Sequence, residues 1–253
     1  MSRATFSGTC VNALARLERP RWLVRLLIRG FARLYRINTG EAAQPLDQYA
    51  SLMQFFTRAL TPGARACDQD PTAIVAPVDG RIVACGYACD SELVLVKGHP
   101  ATLADVFGPL ADAFRGGAFI GIYLSPADCH RLYTPCAGRV VRTWRMGSTL
   151  RPVYPAALQR RPDTPVRNQR IITELTHPQG RVLFAAIGAL NVGRIVLTHA
   201  GTQEWQYGKG DEFGRFEFGS MVLLLFARDV VTLRTDLAGG ALVRIGERLG
   251  TWR

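Results

Sequence analysis

From residue 73 onward the chain is a succession of short apolar runs separated by Gly, Pro and Asp. The runs occupy residues 73–76, 81–84, 93–96, 118–124, 182–187, 195–198, 221–226 and 230–233. Runs of this length between turn-forming residues are typical of β-strands, so the pattern predicts a strand-rich body. One helical segment is predicted at 103–114. Residues 150–168 are rich in Pro and Arg without clear periodicity, which predicts a long loop that could act as a lid.

The first 60 residues have a different, helical pattern. Between residues 11 and 60, Leu, Trp and Phe recur at helical spacing and arginines are interleaved with them. Pro20 and Gly30 are expected to divide this pattern into shorter helices, and a further helix is expected between the Pro-Leu-Asp segment at 45–47 and Thr61. We therefore predict a basic, amphipathic helical region at 1–60 and a β-rich core at 61–253.

The charge balance favours a polyanionic partner. The 253 residues include 31 Lys and Arg against 20 Asp and Glu, a net charge of +11. Such an excess suits nucleic acid or an anionic membrane surface. The N-terminal arginines alternate with a wide apolar face and not with stacking aromatics, which favours the membrane and argues against nucleic acid. The same helices could instead dock on their own domain or form the seam of a homodimer.

Cysteine and histidine usage indicates no metal site. Six cysteines, at positions 10, 67, 85, 89, 129 and 136, lack the paired spacing of structural zinc ligands, and the chain has only four histidines. We expect free thiols in a reducing compartment. No cleavable signal peptide and no apolar stretch of ~20 residues is evident, which predicts a cytoplasmic or peripheral protein.

Gly219 and Ser220 immediately precede the apolar run at 221–226. In a strained turn, a serine hydroxyl can attack the preceding carbonyl, and the resulting ester can undergo elimination and hydrolysis to leave a pyruvoyl group. Glycine suits such a turn because it has no Cβ. Taken alone, however, a Gly-Ser pair before a strand is more often an ordinary turn.

Three motifs, in this order along the chain, resemble those of the phosphatidylserine decarboxylases. They are Pro77-Val78-Asp79-Gly80, the segment 125–135 around His130, and the block 209–216 (Lys-Gly-Asp-Glu-Phe-Gly-Arg-Phe) ahead of Ser220. The resemblance implies an α+β fold with a β-rich catalytic core and N-terminal amphipathic helices that sit on the membrane. It implies decarboxylation of phosphatidylserine to phosphatidylethanolamine by a pyruvoyl group made from Ser220, without an added cofactor or a metal.

The resemblance also implies how the chain matures. Self-cleavage is expected between Gly219 and Ser220, which would leave a large subunit of residues 1–219 and a small subunit of residues 220–253. The mature protein is expected to be peripheral, on the cytoplasmic face of the cell membrane.

In this family two aspartates and a histidine act with the serine to drive self-cleavage, and Asp79 and Asp128 match the two carboxylates. His130 matches the histidine that serves decarboxylation. Tyr133 stands where the family has the histidine that serves self-cleavage, and tyrosine, with an ordinary pKa near 10, is a poor base at neutral pH. Without the resemblance, Asp79-Gly80 would be interpreted as a hairpin turn and Asp128 as a helix cap.

The departures from the family pattern leave three interpretations of maturation. His130 does both jobs, Tyr133 acts with a lowered pKa, or the chain does not process itself. Met221 replaces the usual Thr and so removes a hydroxyl beside the cleavage site. A non-processing lipid-binding paralogue and a pyruvoyl decarboxylase of another amine are therefore rival predictions.

A second Gly-Ser pair must be weighed against the first. Gly147-Ser148-Thr149 matches the family's Gly-Ser-Thr better than Gly219-Ser220-Met221 does, but it has no acidic and aromatic block upstream and precedes no apolar run. We therefore predict cleavage at Ser220. His99 and the segment 188–193 also resemble family features, and neither is assigned a catalytic role.

Overall fold

The computed structural model describes residues 11–97, 99–190, 194–198, 205–217 and 220–253. Its helices are α1 (Arg21–Leu34), α2 (Leu52–Phe56), α3 (Leu103–Phe107), α4 (Pro155–Arg160) and α5 (Thr164–Arg167), with 3-10 turns at Thr39–Glu41 and Pro109–Phe114. Its strands are β1 (Ala73–Val75), β2 (Gly80–Tyr87), β3 (Glu92–Val96), β4 (His99–Thr102), β5 (Ala118–Leu124), β6 (Arg131–Tyr133), β7 (Gly138–Met146), β8 (Arg170–His177), β9 (Gly180–Gly188), β10 (Arg194–Leu197), β11 (Gln206–Tyr207), β12 (Glu212–Glu217), β13 (Ser220–Phe226), β14 (Val231–Leu233), β15 (Leu242–Val243) and β16 (Arg248–Trp252).

Strand β13 lies inside an eight-stranded antiparallel sheet with the order β11-β7-β8-β9-β13-β5-β2-β15. All seven of its residues are buried, because the strand has a neighbour on each side and core residues on both faces. The start of β13 and the ends of β5 and β9 lie at one end of this sheet. Strand β2 also begins at this end, since Arg81 pairs with Tyr123 near the end of β5.

Two three-stranded sheets complete the β-rich core. Their orders are β1-β16-β14 and β10-β12-β6, and β3 and β4 form a separate hairpin. Strand β12 pairs with β6, the short strand that follows His130, so backbone hydrogen bonds join the segment after His130 to the segment that precedes the predicted cleavage site. The predicted α+β fold with a β-rich core is confirmed.

The helical N-terminal residues pack on this core. Val24, Ile28 and Ala32 on one face of α1 are buried against Tyr49 and Phe55. Three other residues of the N-terminal region, Ala15, Met53 and Phe56, are buried in the main hydrophobic core. The 1–60 and 61–253 division stays a prediction, although these contacts show that the two parts share buried surface.

Several local predictions are corrected by the structure. Gly30 does not divide a helix, since α1 runs through it with space around its Cα. The helix predicted at 103–114 is interrupted at Gly108, whose φ of 87° ends α3 before a 3-10 turn begins. The predicted loop at 150–168 contains α4 and α5.

Candidate active site

Ser220 is the first residue of the central strand β13. Its sheet partners are Leu124 at the end of β5 and Gly188 at the end of β9. The side chain is fully buried, and its Oγ has no hydrogen-bond partner among the described residues. Gly219, the other half of the predicted cleavage site, lies outside the described residues.

The strands beside β13 bring the other predicted residues to the same end of the sheet. Asp79 immediately precedes β2, and the segment 125–130, with Asp128 and His130, immediately follows β5. Gly80 is the first residue of β2 and not part of a hairpin turn. A Cβ at Gly80 would lie 2.4 Å from the carbonyl oxygen of Tyr123, so this close approach of β2 to β5 requires glycine.

His130 is fully buried, and its ring packs against Phe56 with the ring centroids 3.9 Å apart. Its Nδ1 lies 3.0 Å from the backbone carbonyl oxygen of Asp128. A carbonyl only accepts hydrogen bonds, so Nδ1 carries the proton and Nε2 presents its lone pair when the ring is neutral. Nε2 itself has no partner in the described part of the chain.

Burial also fixes the charge of this ring. Desolvation lowers the pKa of His130 to about 3, because the imidazolium ion cannot be hydrated in the core, and the nearby Arg58 adds to the shift. At neutral pH the imidazole is therefore neutral and Nε2 is ready to accept a proton.

Asp128 orients His130 through its backbone and not through its carboxylate. The carboxylate accepts a hydrogen bond of 2.7 Å from the backbone N–H of Ser125 and closes the turn between β5 and His130. Burial raises the pKa of Asp128. The aspartate–histidine contact that the resemblance implies is thus present only through a main-chain oxygen.

Asp79 is held by a different partner. Its carboxylate accepts hydrogen bonds from Arg65, with Nη2 at 2.7 Å and Nε at 2.9 Å, and a third from the backbone N–H of Ile245. Arg65 also bonds Glu41 at 2.8 Å. The bidentate Arg65 pair aligns Asp79 at the start of β2, but the Asp79 carboxylate forms no hydrogen bond to His130 or Ser220.

Tyr133 ends the short strand β6, opposite Glu212 of β12. Burial raises the pKa of its phenol, and the neighbouring Cys129 and Glu212 act in the same direction. A tyrosine that serves as a base at neutral pH needs a lowered pKa. The environment of Tyr133 therefore disfavours that interpretation and leaves His130 as the better-placed base.

The competing serine lies in a different setting. Ser148 is exposed and follows β7 instead of beginning a strand. Gly147 before it has φ of 75°, and a Cβ there would lie 2.0 Å from the carbonyl oxygen of Asn168, so this glycine serves a tight turn. His99 is exposed on the β3–β4 hairpin.

Arg58 is the residue that the sequence interpretation missed. It lies just after α2, is 4% exposed, and donates from Nη2 to the carbonyl oxygen of Ala127 at 2.8 Å. Its guanidinium carbon lies 5.2 Å from the centre of the Phe55 ring. An arginine two residues after the apolar Phe55-Phe56 pair was the available signal, because an arginine next to core residues must find an anion or a carbonyl.

Two cavities flank the site. One, of about 170 Å³, is lined by Arg58, Asp79, Asp128 and Cys129 together with residues of the 242–244 segment. The other, of about 340 Å³, is lined by Gly188, the sheet partner of Ser220, and by Arg145, Arg170 and Arg194. Arg170 is committed to four backbone carbonyl oxygens around α3 and α5, so its role is to hold those segments.

Within the described ranges, no three His, Cys, Asp or Glu side chains are grouped to hold a metal ion. The five cysteines that the structure describes have no disulfide partners. Across those same ranges, no helix has the length and apolar character needed to cross a membrane.

Comparison with known proteins places this buried-serine, β-rich fold in a defined class. The family described as phosphatidylserine decarboxylase matches residues 52–251. The phosphatidylserine decarboxylase proenzyme of Halalkalibacterium halodurans is 39% identical over 97% of this chain and 92% of that protein. The proenzymes of Anoxybacillus flavithermus and Myxococcus xanthus are 36% and 35% identical, over 94% and 96% of this chain and 89% and 92% of those proteins. The chain belongs to the phosphatidylserine decarboxylase family.

Proposed function

We propose that this protein cleaves its own chain between Gly219 and Ser220, converts Ser220 to a pyruvoyl group, and then decarboxylates phosphatidylserine to phosphatidylethanolamine. The observation that carries the proposal is the buried Ser220 hydroxyl, which has no partner among the described residues. Leaving a buried polar group unpaired costs about 1–3 kcal/mol. A serine with only a structural role in a turn would not need a buried, unpaired hydroxyl, so the burial of Ser220 supports a reactive role.

His130 supplies the base that self-cleavage needs. As Ser220 Oγ attacks the carbonyl carbon of residue 219, the neutral Nε2 takes the hydroxyl proton and an ester C–O bond forms. The proton then passes to the nitrogen of residue 220 as the peptide C–N bond breaks and leaves a free amine. Elimination then releases the carboxylate of residue 219, and hydrolysis releases ammonia to leave the pyruvoyl group. The burial that keeps His130 neutral also makes it a weak base, so we expect maturation to be slow.

Once formed, a pyruvoyl group at position 220 supplies an electrophilic carbonyl that condenses with the substrate amine and withdraws electrons as carbon dioxide leaves. The chain's own residues do the rest. The full burial of residue 220 and of His130 keeps bulk water away from the reacting atoms. His130, which lies in the segment that follows β5 at the same end of the sheet, is the group that we expect to deliver a proton after carbon dioxide has left.

The exposed face of α1 supports a membrane-bound substrate. Trp22, Leu26 and Leu34 are 67%, 61% and 72% exposed, while Arg25, Arg29 and Arg33 lie between them. Large apolar side chains flanked by arginines suit the interface of an anionic bilayer. We propose that α1 seats the protein on the cytoplasmic face of the cell membrane, so that the lipid headgroup can reach the site.

Intact-mass analysis of the purified protein tests the proposal directly. Two chains that meet at Gly219 and Ser220, the second blocked at its N-terminus, are expected, together with release of carbon dioxide from phosphatidylserine vesicles. Ser220→Ala should remain one chain, and the matched control Ser148→Ala should still be cut. A wild-type protein that stays uncut would instead support the lipid-binding paralogue. A cut protein that leaves phosphatidylserine untouched would support a decarboxylase of another amine.

Replacing Tyr133 by His separates the causes of an uncut chain. If the wild type is uncut and Tyr133→His restores cleavage, the missing base was the cause. If Tyr133→His stays uncut as well, other parts of the site have also been lost.

A further inference from the structure

Arg58 has unused hydrogen-bonding capacity in a buried position. Nη2 donates to Ala127, but Nε and Nη1, which carry three of the five N–H groups, have no partner among the described residues. A buried guanidinium is stable only when an anion or several acceptors compensate its lost hydration. The geometry around Arg58 therefore indicates that a group from outside the described chain completes it.

The cavity that Arg58 lines is suited to such a group. Its volume of about 170 Å³ admits several non-hydrogen atoms. Asp128 and Cys129, which directly precede His130, lie on its inner side, and Asn38 and Arg244 lie on its outer side. The cavity is thus lined by the segment that follows α1 and by the segment that directly precedes His130.

The cavity is lined by three arginines and three carboxylates, but the arginines are unevenly paired with them. Glu41 and Asp79 are both paired with Arg65. The Asp128 carboxylate is already hydrogen-bonded to the backbone N–H of Ser125. Arg58 is buried without a carboxylate partner, and the exposed Arg244 side chain forms no ion pair with any described residue. An anion entering the cavity could bond the N–H groups on Nε and Nη1 of Arg58 and would lie near Arg244.

We propose that Arg58, assisted by Arg244, binds the phosphodiester of the phospholipid substrate in this cavity and thereby sets the substrate amine toward residue 220. The identity of the substrate rests on the proposed function, whereas the existence of an anion site at Arg58 does not. Arginine suits the task because its planar fork bonds two phosphate oxygens at once.

The substrate has a second anion, its carboxylate, and the chemistry argues against placing that group on Arg58. Carbon dioxide leaves without charge, so the carboxylate loses its charge in the transition state. An ion pair to that group would stabilise the ground state more than the transition state and slow the reaction. The phosphodiester keeps its charge throughout, so binding it anchors the substrate without opposing the chemical step.

The test uses binding to the uncut Ser220→Ala protein, which does not depend on maturation. Glycerol 3-phosphate, glycerophosphoserine and free serine are titrated by calorimetry. Both phosphate compounds are expected to bind and serine is not. Adding Arg58→Gln should weaken phosphate binding about tenfold or more, and Arg244→Gln should weaken it by a smaller factor.

Two further variants serve as controls. Arg58→Lys keeps a charge and a donor for Ala127 but lacks the fork, so it should fold normally and still bind phosphate more weakly. Arg145→Gln removes an exposed arginine from the other cavity and should leave binding unchanged. In the cleaved enzyme, Arg58→Lys should raise KM for phosphatidylserine with little change in kcat, as the loss of uniform binding requires.

Three results would overturn the proposal. Serine that binds as tightly as the phosphate compounds, through Arg58, would identify a carboxylate site. Weakening by Arg145→Gln but not by Arg58→Gln would move the anion to the other cavity. No binding of either phosphate compound to the uncut protein would show that no preformed anion site exists. Phosphate binding without any decarboxylation would instead retain the anion site and contradict the proposed function.

Discussion

At the scale of single residues, the site depends on one neutral imidazole whose orientation comes from the main chain. The Asp128 carbonyl oxygen fixes the proton on Nδ1, and complete burial keeps Nε2 unprotonated. A carboxylate partner would have favoured the charged ring and raised its pKa. The arrangement therefore suits a group that must accept a proton before it can donate one.

The lowered pKa of His130 predicts a pH-dependent stability. The folded state excludes the proton until the pH falls to about 3, whereas the unfolded chain binds it near pH 6.5. The contribution of the neutral ring to the free energy of unfolding is thus fully present above pH 6.5 and is lost as the pH falls toward 3. Between pH 6.5 and pH 5 this loss amounts to roughly 2 kcal/mol.

Urea unfolding of the Ser220→Ala protein over this pH range measures the effect. The matched variant that also carries His130→Gln should be less stable at neutral pH but should show a smaller decline on acidification. Parallel pH curves for the two proteins would show that His130 titrates normally in the folded state.

Motifs predicted some site residues from the sequence and left others out for a physical reason. Asp79, Asp128, His130 and Ser220 do come to one end of the central sheet, and their roles stay predictions. Arg58 and Arg65 were not predicted, because their importance lies in burial and in partners distant along the chain, such as Ala127 and Glu41. The sequence could flag Arg58 as an arginine close to apolar residues, but it does not show these distant partners.

At the scale of elements, strands with apolar runs were predicted and strands with polar faces were not. Strand β5 occupies the predicted residues 118–124. Strand β7 was missed because arginines interrupt its apolar pattern, and β8 because Thr173 and Glu174 interrupt its own. In the structure Arg142 and Arg181 pair with the buried Glu174. Salt bridges that join neighbouring strands allow charge inside a sheet that a hydrophobicity pattern alone does not indicate.

The exposed stripe of α1 yields a prediction at this scale. Trp22→Ser with Leu26→Ser removes two large exposed apolar groups without touching the buried face of the helix. Each group gains about 1.5–3 kcal/mol when fully buried, so vesicle binding should fall at least about tenfold. Sedimentation with phosphatidylserine vesicles measures it, and Tyr87→Ser, an exposed aromatic on β2, is the control. Equal losses in both proteins would point to nonspecific adsorption.

At the scale of the whole molecule, the helical region and the β-rich core share buried surface. Phe31 of α1 packs against both hydrophobic clusters, and Arg16 forms an ion pair with Glu217 of β12. These contacts lead us to expect that residues 11–60 unfold together with the sheet and not as a separate unit.

A matched pair of substitutions in α1 tests this expectation. Ile28 is fully buried and Leu26 is 61% exposed on the same helix. Ile28→Ala should lower the free energy of unfolding by about 2–5 kcal/mol, and Leu26→Ala should change it by less than about 0.5 kcal/mol. Calorimetry should show one transition that shifts with Ile28→Ala. A separate early transition in that variant would establish an independent N-terminal domain.

The position of Ser220 in the central sheet has a consequence for how the protein can be remade. Residues 220–253 supply β13 and β15 to the eight-stranded sheet, and β14 and β16 to the sheet that contains β1. A chain cut before β13 stays assembled through these pairings, but once denatured its two pieces must meet by diffusion. Refolding then changes from a first-order to a second-order process, while the uncut Ser220→Ala chain still folds at a rate independent of concentration. Maturation would thus give a native state that persists but does not readily form again after denaturation. Its lifetime would be set by the rate at which the two pieces separate.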